Sequence, residues 1–365
     1  MNRSLSLLLK PASGMCNLNC RYCFYHDLSR RQDGTQPGRM MEEHVLEAIV
    51  RKAYAYADSS VTFGFQGGEP TLRGVDFYRR FVALVKQYNT ASIPTYFTLQ
   101  TNGLLIDDAW ADFLRENNFL VGISLDGPSA LHDKNRIDRK GNGSFDRALS
   151  VAKGLQGAGV AVNILCVITE ENARQGRALL RFFRSMGFRY LQFIPCLDPL
   201  SETADEMGSF LSPESYGRFL IDTFDCWRED LRVGQYTSIR MFDNLAQMLN
   251  GLPPKDCSMR GQCTAGTVIE ADGSVYPCDF YVMEKWRLGN ILDTGFDALL
   301  TGERAVDFVQ SSPQLSDVCL CCAYRSLCRS GCRRHREPIH PGQPQNNRFC
   351  EAYRMFYAHI FGKRS

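Results

Sequence analysis

Residues 13–26 read "SGMCNLNCRYCFYH" and place three cysteines, Cys16, Cys20 and Cys23, within eight positions. The spacing is Cys-x3-Cys-x2-Cys, with no fourth cysteine beside it. A structural zinc site takes four protein ligands, and an iron–sulfur cluster is normally held by four thiolates. Three ligands leave one metal position open, and an open position is where a metal does chemistry. The blander readings are three unrelated core cysteines or a zinc knuckle with a distant fourth ligand. A cysteine loop directly after an apolar run, in an α/β pattern, argues against both.

That apolar run, Leu5 to Leu9, is five residues long. It is shorter than the about 7–15 residues of an export-signal core, so it reads as a first buried strand. Further β-rich runs follow at 61–65, 96–100, 121–125, 162–167 and 190–194. Amphipathic stretches separate them, such as "EEHVLEAIVRKAYAYA" (42–57) and "VDFYRRFVALVKQY" (75–88). Strand–helix alternation predicts parallel strands with right-handed crossovers. Six such units, not eight, predict a partial (β/α)6 TIM-like barrel. Each strand ends in polar or glycine-containing sequence, at the end where βα barrels build their sites.

The chain has 365 residues, 44% of them hydrophobic, and a formal net charge of +2. The length fits about two or three domains, and the charge gives no argument for nucleic acid or a membrane surface. No stretch approaches the ~20 apolar residues of a membrane span, so a cytoplasmic location is expected. Fifteen cysteines there point to metal or redox chemistry rather than disulfides. From about residue 240 the texture changes, and we expect a boundary near 235–245, dividing the chain into 1–235 and 236–365. A helix is expected over 213–231. "GTVIEADGSVYPC" predicts a hairpin with a type I′ turn at Asp272-Gly273. The basic run Arg333-Arg334-His335-Arg336 has two readings of equal weight, a solvated face or charge compensation for a metal–thiolate cluster.

The cysteine trio, with Tyr22 just before Cys23, resembles the loop of the radical S-adenosylmethionine (SAM) superfamily. The resemblance implies a [4Fe–4S] cluster on Cys16, Cys20 and Cys23, with SAM on the fourth iron. "QGGEP" (66–70) resembles that superfamily's Gly-Gly-Glu-Pro motif. The resemblance implies that Gly68 meets the SAM amino end, Ser124 and Arg136 the ribose and carboxylate, and Leu197 the adenine, with Tyr22 also among the cofactor-binding residues. The later cysteines run Cys257-x5-Cys263, then Cys278, then Cys319-x2-Cys322-x5-Cys328-x3-Cys332, then Cys350. Zinc ribbons also use Cys-x2-Cys pairs. The whole pattern resembles the SPASM domain, which carries two auxiliary [4Fe–4S] clusters. The implied sharing is Cys257, Cys263, Cys278 and Cys332 for one, and Cys319, Cys322, Cys328 and Cys350 for the other. Clusters saturated by thiolates are suited to electron transfer. Cys166, Cys196, Cys226 and Cys321 remain, the first two expected in the core.

Across nearly its whole length the chain resembles the anaerobic sulfatase-maturating enzymes, in stretches such as "FQGGEPTL", "LQTNGLLID", "FLVGISLDGP" and "DGSVYPCDFYVMEKWRLGNI". The implied reaction is oxidation of a cysteine or serine in a sulfatase motif, Cys/Ser-x-Pro/Ala-x-Arg, to Cα-formylglycine. A SAM-derived radical would take a Cβ hydrogen, Asp279 would act as general base, and an auxiliary cluster would take the leftover electron. The implied partners are an unfolded sulfatase polypeptide and an electron donor such as flavodoxin or ferredoxin, and the protein is expected to be a monomer. Tyr25 and Gln66 are candidate peptide contacts. The alternative is a radical SAM/SPASM maturase of a ribosomal peptide, forming thioethers, carbon–carbon crosslinks or epimers. Such maturases often carry an N-terminal leader-binding domain, for which the residues before Cys16 leave no expected room. A zinc-rich binding module is the remaining reading, separable by iron and sulfide content.

Overall fold

Serines and leucines alternate in the first strand, so Leu5, Leu7 and Leu9 turn into the core while Ser4 and Ser6 face out. The computed structural model describes residues 3–25, 39–198, 211–336 and 345–362. Among these the strands are, in chain order, β1 (Ser4–Leu9), β2 (Ser60–Phe65), β3 (Thr95–Thr101), β4 (Phe119–Ser124), β5 (Ala161–Ile168), β6 (Tyr190–Pro195), β7 (Ser238–Ile239), β8 (Thr267–Ile269), β9 (Ser274–Tyr276) and β10 (Gly289–Asn290). The first six fall within two residues of the runs expected from sequence.

The chain folds as two units, one of residues 1–124, 136–162 and 265–308, the other of 125–135, 163–264 and 309–365. In the first, β1, β2, β3 and β4 lie side by side and parallel. Helices Glu43–Tyr56, Gly74–Tyr88 and Asp108–Glu116 make the crossovers. Aromatic side chains fill the core, with ring centroids of Phe63–Phe81, Phe65–Tyr78 and Phe97–Phe119 at 5.0, 4.9 and 5.0 Å. Such tilted and offset pairs suit the ring quadrupole. The sheet grows beyond β1 through β8, which is parallel to it, and then through antiparallel β9 and β10. Strands from residues 267–290 therefore extend a sheet begun by residues 4–9.

The hairpin between β8 and β9 forms, but its turn is not type I′. That type needs positive φ at both central residues. Gly273 has φ 85°, whereas Asp272 is not left-handed. Gly273 N–H donates to the Glu270 carbonyl at 2.9 Å, and Glu270 N–H to the Ser274 carbonyl at 3.0 Å. This is a three-residue loop, a tight turn closed by a left-handed glycine. Asp272 instead accepts from Ser274 N–H at 2.9 Å.

In the second unit β5, β6 and β7 are parallel. The long helix Pro213–Arg232 starts with Pro at its first turn and Ser212 accepting from Ser215 N–H at 3.2 Å. It packs against Cys350–Phe361, and Gly217 permits the approach: a Cβ there would lie 3.0 Å from Ala352 Cα. Cys166, Cys196 and Cys226 are core residues, as expected for the first two. Among the described residues no helix is long and apolar enough to cross a membrane.

Leu9 is fully buried and in register with both Phe65 and Ile269. Leu9→Ala is expected to destabilise the protein by about 2–5 kcal/mol through lost burial and a residual cavity. The urea midpoint of the anaerobically purified protein, at unchanged slope, checks this.

Candidate active site and cysteine centres

The register that aligns Phe65, Leu9 and Ile269 also aligns the next residue of each strand. Those residues are Gln66, Lys10 and Glu270. Gln66 N–H donates to the Leu9 carbonyl at 3.0 Å and Lys10 N–H to the Ile269 carbonyl at 2.9 Å. Three polar side chains thus leave the sheet at one level. Lys10 is buried, and its Nζ lies 2.5 Å from Glu270 Oε1 and 3.6 Å from Asp279 Oδ1. A buried charge is tolerated only when paired. Burial opposes the Lys10 charge, but Glu270 and Asp279 outweigh it and hold the lysine above its ordinary pKa.

Asp279 follows Cys278 and opens a short 3-10 turn. Tyr25 Oη donates to Asp279 Oδ2 at 2.5 Å, and Gln66 Nε2 donates to Tyr25 Oη and Asp279 Oδ2 at 2.9 and 3.2 Å. The Lys10 ammonium stands 4.9 Å from the Tyr25 ring centre. Burial pushes the Asp279 carboxyl above the usual carboxylate range, against the pull of Lys10 and of the Tyr25 bond. Burial, and then the Asp279 charge, push Tyr25 well up, so it remains a donor. Asp279 Oδ1 accepts no hydrogen bond among the described residues.

Tyr25 is also part of the cysteine loop, so its bond joins Asp279 to the segment carrying Cys16, Cys20 and Cys23. Cys23 N–H donates to the Cys20 carbonyl at 3.2 Å, and Leu18 N–H to Cys16 Sγ at 3.4 Å. Burial, and the neighbouring Glu69, Cys20 and Cys23, push the Cys16 thiol up to about 12, only partly relieved by the Leu18 N–H. Cys20 and Cys23 thus lie near enough to Cys16 to oppose its ionisation, and a thiolate ligand set of this kind is one a metal cluster would stabilise. The "GGEP" segment braces this loop. Glu69 N–H donates to the Met15 carbonyl at 2.7 Å. The buried Glu69 carboxylate accepts from Thr71 N–H at 3.0 Å, Thr101 Oγ1 at 2.7 Å and Asn102 N–H at 2.8 Å. Gly68 has φ 48°, and a Cβ on it would sit 2.1 Å from the Met15 carbonyl oxygen.

Of the residues matched to SAM, Gly68, Tyr22, Ser124 and Arg136 belong to the first unit and Leu197 to the second. The buried Arg136 guanidinium lies over the Tyr22 ring at 5.5 Å. Ser124 Oγ accepts from Gln100 Nε2 at 3.0 Å. Leu197 is half-buried beside Cys196, whose N–H donates to the Ile168 carbonyl at 2.9 Å.

No disulfide joins any of the fifteen cysteines. In the second unit Cys319, Cys322, Cys328 and Cys350 line one cavity, with Tyr324, Tyr353 and Tyr357. Cys322 lines it and exposed Cys321 does not. Burial pushes Cys328 up to about 12, with the other three thiols adding to the rise. Four cysteines around one cavity fit the ligand number of a protein-saturated cluster. Burial likewise pushes Cys332 up to about 12, with Cys257 and Cys263 adding to it. Cys278, assigned with these three, lies in the first unit.

Sequence reasoning missed Lys10, Glu270, Glu69 and Asn102. Lys10 and Glu270 each sit as a charged residue directly after an apolar strand, which is the signal that could have found them. Replacing Gly68 by Ala is expected to displace the Met15–Cys16 backbone. Iron and sulfide counting on the reconstituted variant should lose the equivalent of one cluster and retain the rest.

Residues 11–183 match the radical SAM superfamily, and residues 257–323 match an iron–sulfur cluster-binding domain, SPASM. The chain is 45% identical over 355 residues to a cysteine-type anaerobic sulfatase-maturating enzyme of Clostridium novyi, covering 97% of this chain and 95% of that one. It is 33% identical to a serine-type anaerobic sulfatase-maturating enzyme of Klebsiella aerogenes, covering 97% and 84%. A solved structure described as native anSMEcpe with bound AdoMet and Cp18Cys peptide superposes with a TM-score of 0.93 at 41% identity, covering 98% of this chain and 97% of that one. With the open parallel sheet, the three-cysteine loop and the later cysteine field, this places the chain among the anaerobic sulfatase-maturating enzymes, radical SAM enzymes with a SPASM domain.

Proposed function

We propose that this chain oxidises a cysteine in an extended sulfatase segment to Cα-formylglycine, with Asp279 as general base. The observation that carries this reading is the Tyr25–Asp279 hydrogen bond, which ties an acid to the loop of the three cluster cysteines. Higher identity to the cysteine-type relative than to the serine-type one supports cysteine as the preferred target. Cys16, Cys20 and Cys23 would hold the SAM-binding [4Fe–4S] cluster, and the eight later cysteines would hold the two auxiliary clusters. These groups, when bound, supply hydrogen-atom abstraction at the target Cβ and a route for the remaining electron.

The chain's own part is proton transfer and positioning. Asp279 Oδ2 is committed to Tyr25 and Gln66, which leaves Oδ1 to accept the target thiol proton. A carboxyl whose pKa is raised toward the working range is a better base than an exposed one, provided it stays ionised. Lys10 keeps it ionised. Gln66 and Tyr25, at the same level, offer contacts to the peptide, and Gly68, Tyr22, Ser124, Arg136 and Leu197 would orient SAM. We assign residues 1–235 to the SAM chemistry and 236–365 to the auxiliary clusters. The sulfatase would be met unfolded, in the cytoplasm, by a monomer drawing electrons from a flavodoxin- or ferredoxin-like donor.

Anaerobic turnover of the reconstituted protein with SAM, a strong reductant and a Cys-x-Pro-x-Arg peptide tests the reading by mass spectrometry. Formylglycine with matching 5′-deoxyadenosine is expected. Deoxyadenosine without peptide oxidation would turn the assignment to the peptide-maturase alternative. Asp279→Asn should still form deoxyadenosine while formylglycine falls by about 10²–10⁴, the usual worth of a general base.

The pH dependence follows from the neighbours of Asp279. Activity needs the carboxylate, so it falls as pH drops through the Asp279 pKa. Lys10 lowers that pKa and Glu270 raises it. Lys10→Met is therefore expected to move the acidic limb of the rate profile to higher pH, and Glu270→Gln to lower pH. Shifts of the same sign in both variants would contradict the network.

A further inference from the structure

The run Arg333-Arg334-His335-Arg336 is not a solvated face. The four residues are 8, 5, 8 and 4% exposed. Burial, with Arg334 and Arg348 beside it, drives the His335 pKa down to about 3, so the segment's charge comes from its arginines. Arg336 Nη1 donates to the Gln314 carbonyl at 2.6 Å and Nη2 to the Ser312 carbonyl at 2.5 Å. Its Nε has no hydrogen-bond partner, and among the described residues no carboxylate pairs with it. Arg333 Nη1 donates to Ser311 Oγ at 2.9 Å. A buried guanidinium bonded to neutral carbonyls still requires negative charge nearby.

That charge is close at hand. Arg333 adjoins Cys332 in sequence. Ser312, whose carbonyl accepts from Arg336, uses its Oγ to accept from Cys263 N–H at 2.9 Å. Arg333 and Arg336 both act electrostatically on the Cys263 sulfur. Among the described residues, the cavity formed by Cys319, Cys322, Cys328 and Cys350 has no comparable buried arginine run. Its lining arginines, Arg325 and Arg354, are exposed. Charge near the sulfurs, hydrogen bonds to them and solvent exposure are what set a cluster's potential.

We propose that Arg333 and Arg336 are positioning residues for the auxiliary cluster held by Cys257, Cys263 and Cys332, stabilising its one-electron-reduced state so that this cluster takes the electron released by the substrate. In the balance, the target –CH₂–SH loses a hydrogen atom from Cβ to the SAM-derived radical, a proton to Asp279 and one electron to this cluster. A C=S bond forms, and the cluster gains one unit of negative charge beside two fixed positive ones. The electron's origin rests on the proposed function; the electrostatic stabilisation does not.

A redox titration of the reconstituted full-length protein, followed by electron paramagnetic resonance and run without peptide, tests this. Arg336→Met should weaken the reduced state of one auxiliary cluster about tenfold, a shift of about 59 mV to more negative potential for one electron. The other two clusters should be unmoved, and Arg336→Lys should restore most of the shift. If Arg336→Met loses iron, Arg333→Gln provides the same reading. Unchanged potentials at full iron content, or equal shifts of all clusters, would overturn the proposal. A peptide left unoxidised by a protein showing the selective shift would sink the proposed function alone.

Discussion

One buried ammonium group organises the first unit's site. Lys10 ends the first strand, where the chain turns into the cysteine loop, and it can be charged there only because Glu270 and Asp279 meet it. Removing one partner from a buried ion pair costs about 3–5 kcal/mol, so all three positions constrain one another. Its stem also fixes the next loop. Gly67 has φ 94°, and a Cβ there would lie 2.6 Å from Lys10 Cε. The glycine pair of "GGEP" therefore serves two backbones at once: Gly67 clears the lysine and Gly68 clears the Met15 carbonyl.

From that lysine the logic of the fold follows. Burial raises the Asp279 pKa. The Tyr25 bond on Oδ2 and the Lys10 ammonium near Oδ1 pull it back down, while Glu270 stands nearer the lysine, at 2.5 Å against 3.6 Å. The result is a carboxyl whose pKa is set by a balance of opposing neighbours. Parallel strands make this economical. Their carbonyl ends lie on one side, so residues far apart in sequence, Lys10, Gln66 and Glu270, emerge at one level.

The thiol centres follow a different physical rule. In the second unit the thiols sit on short helical turns and a longer helix, and burial raises Cys328 and Cys332 to about 12. Arg329, Ser330 and Gly331, all left-handed at φ 50, 65 and 67°, make the three-residue link between Cys328 and Cys332. The arginine run after Cys332 is buried, whereas Arg325 and Arg354 at the cavity of Cys319, Cys322, Cys328 and Cys350 are exposed.

Much of this was legible in the sequence. The cysteine spacing, the strand–helix alternation and the glycine pair carried the fold and its cofactors, because each rests on local chemistry: ligand number, period and backbone freedom. The six expected strands lie where periodicity put them, within two residues. The acid after Cys278 was identifiable only by resemblance, since an aspartate beside a cysteine has no distinctive local signature. Tertiary structure alone decided the rest. A type I′ turn and a left-handed glycine closing a three-residue loop share the same Asp-Gly pair, and only backbone angles separate them. A basic run can be solvated or buried, and only packing distinguishes the two. Lys10, Glu270 and Asp279 converge because β8 adds to β1 with a fixed register. Register is a long-range property, set by which strand ends meet, and no window of sequence contains it.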